Sequence, residues 1–97
     1  MTTDAEPLRR EPRTIELIGD KFEVLAQDFG WMTNGKYDYE RIAHELALSE
    51  KQARRVLTAQ ARPSTTFIGG LITATHDLVG FRRVFRVVNL SDPIGKV

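Results

Sequence analysis

Residues 39–59, YERIAHELALSEKQARRVLTA, constrain the fold more than any other stretch. They read as two short amphipathic helices joined by a turn with room only for a sharp corner. In the second helix, Ala53, Val56 and Leu57 fall on one side of a 3.6-residue wheel, and Lys51, Arg54, Arg55 and Thr58 on the other. In the first, Ile42, Ala43 and Leu46 share a side. An apolar face has to be buried. A basic face opposite it, with no acid interleaved, is what a helix needs to lie against a polyanion. Two helices of this kind crossing steeply make a helix-turn-helix, whose second helix enters the major groove of duplex DNA.

Local signals place the helix starts. Ser49 and Gln52 form the Ser-x-x-Gln pattern of a capping box, so the second helix begins at Glu50. Glu50 then lies in the first turn, where the helix dipole favours a carboxylate. Asp38 stands where the N-cap of the first helix belongs.

A chain of 97 residues suits one domain with a modest core. It has no cysteine, so disulfides, thiolate metal sites and thiol nucleophiles do not arise. No apolar run approaches membrane-span length, and the N-terminal residues lack the apolar core of a signal peptide. The expectation is a soluble, cytoplasmic protein. The net charge of +1 hides an asymmetry. Residues 1–49 carry six Lys/Arg against ten Asp/Glu, and residues 50–97 carry eight against three. Such segregation fits a molecule with one basic face.

Residues 1–13 read as a disordered polar arm, in which Arg9, Arg10 and Arg13 are diluted by Asp4, Glu6 and Glu11. Residues 14–29 read as a helix: Ile15, Ile18, Phe22, Leu25 and Phe29 fall on one narrow face, Gly19 weakens it, and Gly30 caps its end. Residues 31–37 read as a loop turning at Asn34-Gly35, flanked by Trp31 and Tyr37 as partly buried covers. Pro63 forces a break, and Ser64 caps whatever follows. Residues 65–75 are ambiguous. Phe67, Ile68, Leu71 and Thr75 make a helical face, while Gly69-Gly70 between β-branched pairs is a hairpin signal that would complete a winged helix. Residues 80–88 are equally open. As a helix they would set Phe81, Val84, Phe85 and Val88 against Arg82, Arg83 and Arg86, and Phe-Arg-Val-Val also reads as a strand. Residues 91–97 read as a flexible tail.

The run from Tyr39 to Ser64 resembles the DNA-binding domain of phage repressors and Cro-type regulators, the lambda-repressor-like or XRE family. Ile42-Ala43 stands at its hydrophobic-Ala position and Leu46 at its leucine. Ala47-Leu48-Ser49 stands at its Gly-Val-Ser turn, and Ala53 and Val56 at the buried positions of its recognition helix. Arg62-Pro63-Ser64 closes the motif in register, and Leu71 and Gly80-Phe81…Val84-Phe85 resemble its fourth and fifth helices. The resemblance implies an all-α, compact five-helix domain over residues 14–90, tips 65–75 towards helix, and makes 39–47 helix 2 and 50–59 the recognition helix. The winged helix with a hairpin at 65–75 stays as the alternative. The chain departs from the pattern in four places. Ala47 replaces the turn glycine, Tyr39 a frequent glutamine and Glu50 the usual start of the recognition helix, so specific base contacts do not carry over, and the loop between helices 1 and 2 is about six residues longer than the family's shortest form.

On this reading Lys51, Arg54 and Arg55 are the base- or phosphate-reading residues. Gln52, Thr58 and Arg62 are candidate phosphate contacts that fix register. Tyr39 is placed either with its hydroxyl on a phosphate or packed against Ile42 and Ala43. The expected function is sequence-specific binding of double-stranded DNA by a small phage- or prophage-type regulator. It would act as a homodimer on an inverted repeat, with residues 81–88 or Leu90 as the dimer surface. A protein-interaction module on the same fold, such as an antitoxin or host-factor binder, is the second reading, and an excisionase or architectural DNA-binding protein the third. His44 and His76 lack the spacing of a metal site, and no catalytic constellation stands out. Neither an enzyme, a cofactor, a metal nor a membrane is expected.

Overall fold

The computed structural model describes residues 11–76 and 81–94. Its elements run β1 (Arg13–Leu17), α1 (Gly19–Asp28), β2 (Met32–Thr33), β3 (Lys36–Tyr37), α2 (Tyr39–Leu46), α3 (Glu50–Leu57), α4 (Thr65–Ala74), the single turn α5 (Phe81–Val84), and β4 (Phe85–Asn89). Four helices thus pack with two small antiparallel sheets, β1 with β4 and β2 with β3. This overturns the expected all-α, five-helix fold. It also removes the winged-helix alternative, because the residues that would form the wing are α4.

The first expected helix is two elements. Arg13–Leu17 is a strand that pairs with β4 from Arg13↔Asn89 to Leu17↔Phe85. Ile18, still extended at φ −88° and ψ 102°, is the N-cap of α1. Its N–H donates to the Val84 carbonyl at 2.7 Å, and the Leu90 N–H donates to Pro12 at 2.8 Å, which lengthens the ladder at both ends. The spacing of Ile15, Ile18, Phe22 and Leu25 mimics a helical face, but only Phe22 and Leu25 use it as one. Thr14 and Ile15 favour the strand, and the partner that secures it lies at the far end of the chain. Phe29, placed on the buried side by the same periodicity, is 37% exposed.

Residues 31–37 are more than a loop. Asn34 at φ 54° and Gly35 at φ 78° form the two-residue turn of a short hairpin, the left-handed pair that Asn-Gly accommodates best. Trp31 is buried outright rather than a partial cover.

α2 and α3 start where their caps predict. The Asp38 carboxylate accepts the Arg41 N–H at 3.1 Å. Ser49 and Gln52 make the reciprocal capping box, Gln52 N–H to Ser49 Oγ at 3.1 Å and Ser49 N–H to Gln52 Oε1 at 3.0 Å. α2 stops at Leu46 in a Schellman closure. The Leu48 N–H reaches the Ala43 carbonyl at 2.9 Å, the Ala47 N–H reaches His44 at 3.3 Å, and Ala47 is left-handed at φ 60° and ψ 45°. α3 ends at Leu57, two residues short of the expected boundary, in a second closure of the same type with Ala59 at φ 62°.

Ser64 caps α4 through the Phe67 N–H. The helix crosses α2 at Gly70, where a Cβ would overlap the Leu46 carbonyl oxygen and come within 3.0 Å of its carbonyl carbon and Cα. The Gly-Gly pair that reads as a hairpin signal is instead a point of close helix approach. Phe22, Trp31, Ile42, Leu46, Phe67 and Leu71 form the centre of the core, joined by Ala53, Val84 and Phe85. Val84 and Phe85, two residues of the expected dimer surface, are buried in this core, while Val87 and Leu90 are exposed.

Arg13, assigned to the arm, begins β1, and Arg9 and Arg10 lie outside the described residues. So do Asp77, Gly80 and residues 95–97 of the expected tail. The start of that tail is tied down: the Asp92 N–H donates to the Asn89 carbonyl, and its carboxylate accepts the Asn89 N–H.

Candidate nucleic-acid interface

The site is the outer face of α3. Its inner face is set by Ala53, fully buried in the core. Val56 and Leu57 are only half-buried, because they line a cleft of about 400 Å³ that also borders Leu17, Tyr37 and Pro63. Lys51, Gln52, Arg54, Arg55 and Thr58 are all exposed.

These five residues are not equivalent. Lys51 and Arg55 form no ion pair or side-chain hydrogen bond among the described residues, and they stand four apart on one helix, a like-charge spacing that costs a helix about 0.2–0.5 kcal/mol. Gln52 spends its carbonyl oxygen on the capping box, which leaves its amide N–H groups to donate. The Thr58 hydroxyl donates back to the Arg54 carbonyl at 2.7 Å. Arg54 is engaged twice. Its Nη2 lies 2.9 Å from Glu50 Oε2, and its guanidinium carbon sits 4.2 Å from the centroid of the Tyr39 ring. The face is therefore not free of acid, since Glu50 flanks it on the side of α2. Tyr39 serves as the platform for Arg54 and is half-buried.

Arg62 is placed elsewhere. Its side chain is 15% exposed and 3.8 Å from the buried Glu16 carboxylate. Its guanidinium donates to the Leu90 carbonyl at 3.3 Å and to Asp92 at 2.6 Å. It joins β1 to the chain after β4. Arg86 approaches the same carboxylate at 3.9 Å.

Behind Tyr39 the support continues inward. The Tyr37 ring is 6.1 Å from Tyr39, and the fully buried Phe22 ring is 5.7 Å from Tyr37. Burial, aided by the negative charge of Glu23, pushes the Tyr37 phenol up to about 12. Reading by residue type alone missed two contributors, Glu50 and Tyr37. The first had a visible signal, a glutamate four residues before an arginine in one helix. The second had none, because its role depends on the hairpin that brings it beside α2.

His44 is exposed on α2, and among the described residues no group of three or more potential ligands gathers around a metal position. No helix of the described residues is long and apolar enough to cross a membrane. Compared with protein-family models, with curated proteins and with solved structures, the chain matches none.

Proposed function

We propose that this protein is a small regulator that binds duplex DNA by setting α3 into the major groove, with α2 lying across it. Lys51 and Arg55 contact phosphate or base edges, Arg54 reads a base, and Gln52 and Thr58 help to fix register. Tyr39 acts through Arg54, and Arg62 is assigned to the scaffold. The observation that carries the reading is the Lys51–Arg55 face. Two like charges are held four residues apart, without an ion-pair partner among the described residues, on the second helix of a sharply turned pair. A helix that merely needed a solvated surface would gain from an acid at one of these positions. Binding as a homodimer on an inverted repeat, with half-sites about 34 Å apart, belongs to the proposal.

The test is binding to a pool of random duplexes across a salt titration, with sequencing of the retained fraction. A steep fall of affinity with salt and an enriched palindrome are expected. Salt-sensitive binding without enrichment would replace the regulator by an architectural DNA-binding protein. Absence of binding at about 50 mM salt, where non-specific affinity is strong, would remove DNA altogether. A second reading, a protein-interaction module, draws on Val87, Leu90 and Ile94, which are 58%, 51% and 40% exposed near the end of the chain.

A further inference from the structure

We propose that Tyr39 and Glu50 are positioning residues that hold Arg54 as a rigid fork for one guanine in each half-site. The inference rests on the reading of α3 as the DNA-contacting helix and assigns its sequence preference to a particular cluster. Three observations support it. The guanidinium carbon lies 4.2 Å over the centroid of the Tyr39 ring, which holds the group against that face. Its Nη2 is 2.9 Å from Glu50 Oε2, which restrains the guanidinium from a second side and leaves the remaining donors free. The platform itself is anchored, because Tyr39 begins α2 directly after the Asp38 cap and contacts Tyr37, which contacts the core ring of Phe22.

A guanidinium held this way is suited to a planar pair of acceptors. In the major groove guanine presents such a pair, O6 and N7, and arginine meets both at once. A phosphate contact needs no such fixing, since a mobile cation serves it. Glu50 also acts against phosphate. Its carboxylate beside the guanidinium repels an approaching anion while leaving the neutral edge of a base acceptable. Arg54 therefore differs from Lys51 and Arg55, which stand without a carboxylate partner among the described residues and can take phosphate.

The experiment is sequence selection and binding with the full chain carrying Arg54→Lys, Tyr39→Phe, Tyr39→Leu or Glu50→Gln. Arg54→Lys is expected to lose about tenfold or more in discrimination at one guanine of each half-site. Tyr39→Phe keeps the stacking face and should match the unaltered protein. Tyr39→Leu and Glu50→Gln should relax the preference at that same position, by about threefold to tenfold, without weakening binding to random duplex. Glu50→Gln is exposed and outside the core, so it decides the matter if Tyr39→Leu does not fold. A preference unchanged in Glu50→Gln and in folded Tyr39→Leu overturns the positioning role. A loss with Arg54→Lys that is uniform across sequences overturns the guanine contact. Failure of the unaltered protein to bind any duplex would instead defeat the underlying reading of α3, and the positioning role with it.

Discussion

Ala47 occupies a left-handed backbone position, φ 60° and ψ 45°, between α2 and α3. A side chain there costs roughly 1–2 kcal/mol relative to glycine's freedom, partly offset by the tighter unfolded ensemble of alanine. Ala47→Gly should therefore stabilise the fold by about 1 kcal/mol, read as a higher urea midpoint with an unchanged slope. A lower midpoint would mean that the turn carries no strain. Tyr37 gives a second residue-scale expectation. Its phenol is held at about 12, above the ordinary value of 10, by burial first and by Glu23 next. The unfolded chain loses that proton first, so Tyr37's contribution to stability is complete below pH 10 and lost as pH rises towards 12. Tyr37→Phe should flatten the fall of the urea midpoint across that window. At this scale the caps were legible, since Asp38, Ser49 with Gln52, and Ser64 act on N–H groups three residues away. The tie of Arg62 to Glu16, Leu90 and Asp92 was not, because Arg62 lies in the loop after α3 and its partners lie towards both ends of the chain.

At the scale of elements, α4 shows how two adjacent glycines can do different work. Gly69 has open space around its missing Cβ, and Gly70 rides on the Leu46 backbone. Gly69→Ala should stabilise by about 0.5–1 kcal/mol through helix propensity. Gly70→Ala should destabilise by about 1–3 kcal/mol, as α4 is pushed off α2. Thermal melts of the two variants should therefore shift in opposite directions, and equal shifts would mean that the α2–α4 crossing is not so close. The same pair explains why residues 65–75 could not be settled locally: glycine marks both a hairpin and a close crossing. β1 was illegible for a related reason. Its alternation of Thr14 and Glu16 with Ile15 and Leu17 is only five residues long, and it runs directly into a real helix whose apolar spacing it happens to continue. α2 and α3 were legible because each carries its own caps and its own apolar stripe, with Ile42, Leu46 and Ala53 at the buried positions.

At the scale of the molecule, the β1–β4 pair brings the two ends of the described chain together, and Arg62 secures that closure against the loop after α3. The positive excess of residues 50–97 therefore has two uses. Arg62 and Arg86 face the buried Glu16, while Lys51, Arg54 and Arg55 lie on the surface of α3. Net charge by halves detected the asymmetry but could not divide it, because burial depends on the closure. Arg62→Ala should cost about 1–3 kcal/mol of stability by removing the bonds to Leu90 and Asp92 and one of the two cations that face Glu16, without changing which DNA sequences are preferred. Stability unchanged with affinity reduced would return Arg62 to the contact surface. The central claim is that the unpaired cations of α3 meet a polyanion. The most direct measurement is the salt dependence of duplex binding for the unaltered protein and for Lys51→Ala/Arg55→Ala. The account predicts a slope of log affinity against log salt that is shallower by about two in the double variant, with an unchanged circular dichroism spectrum. An identical slope in the two proteins would contradict it.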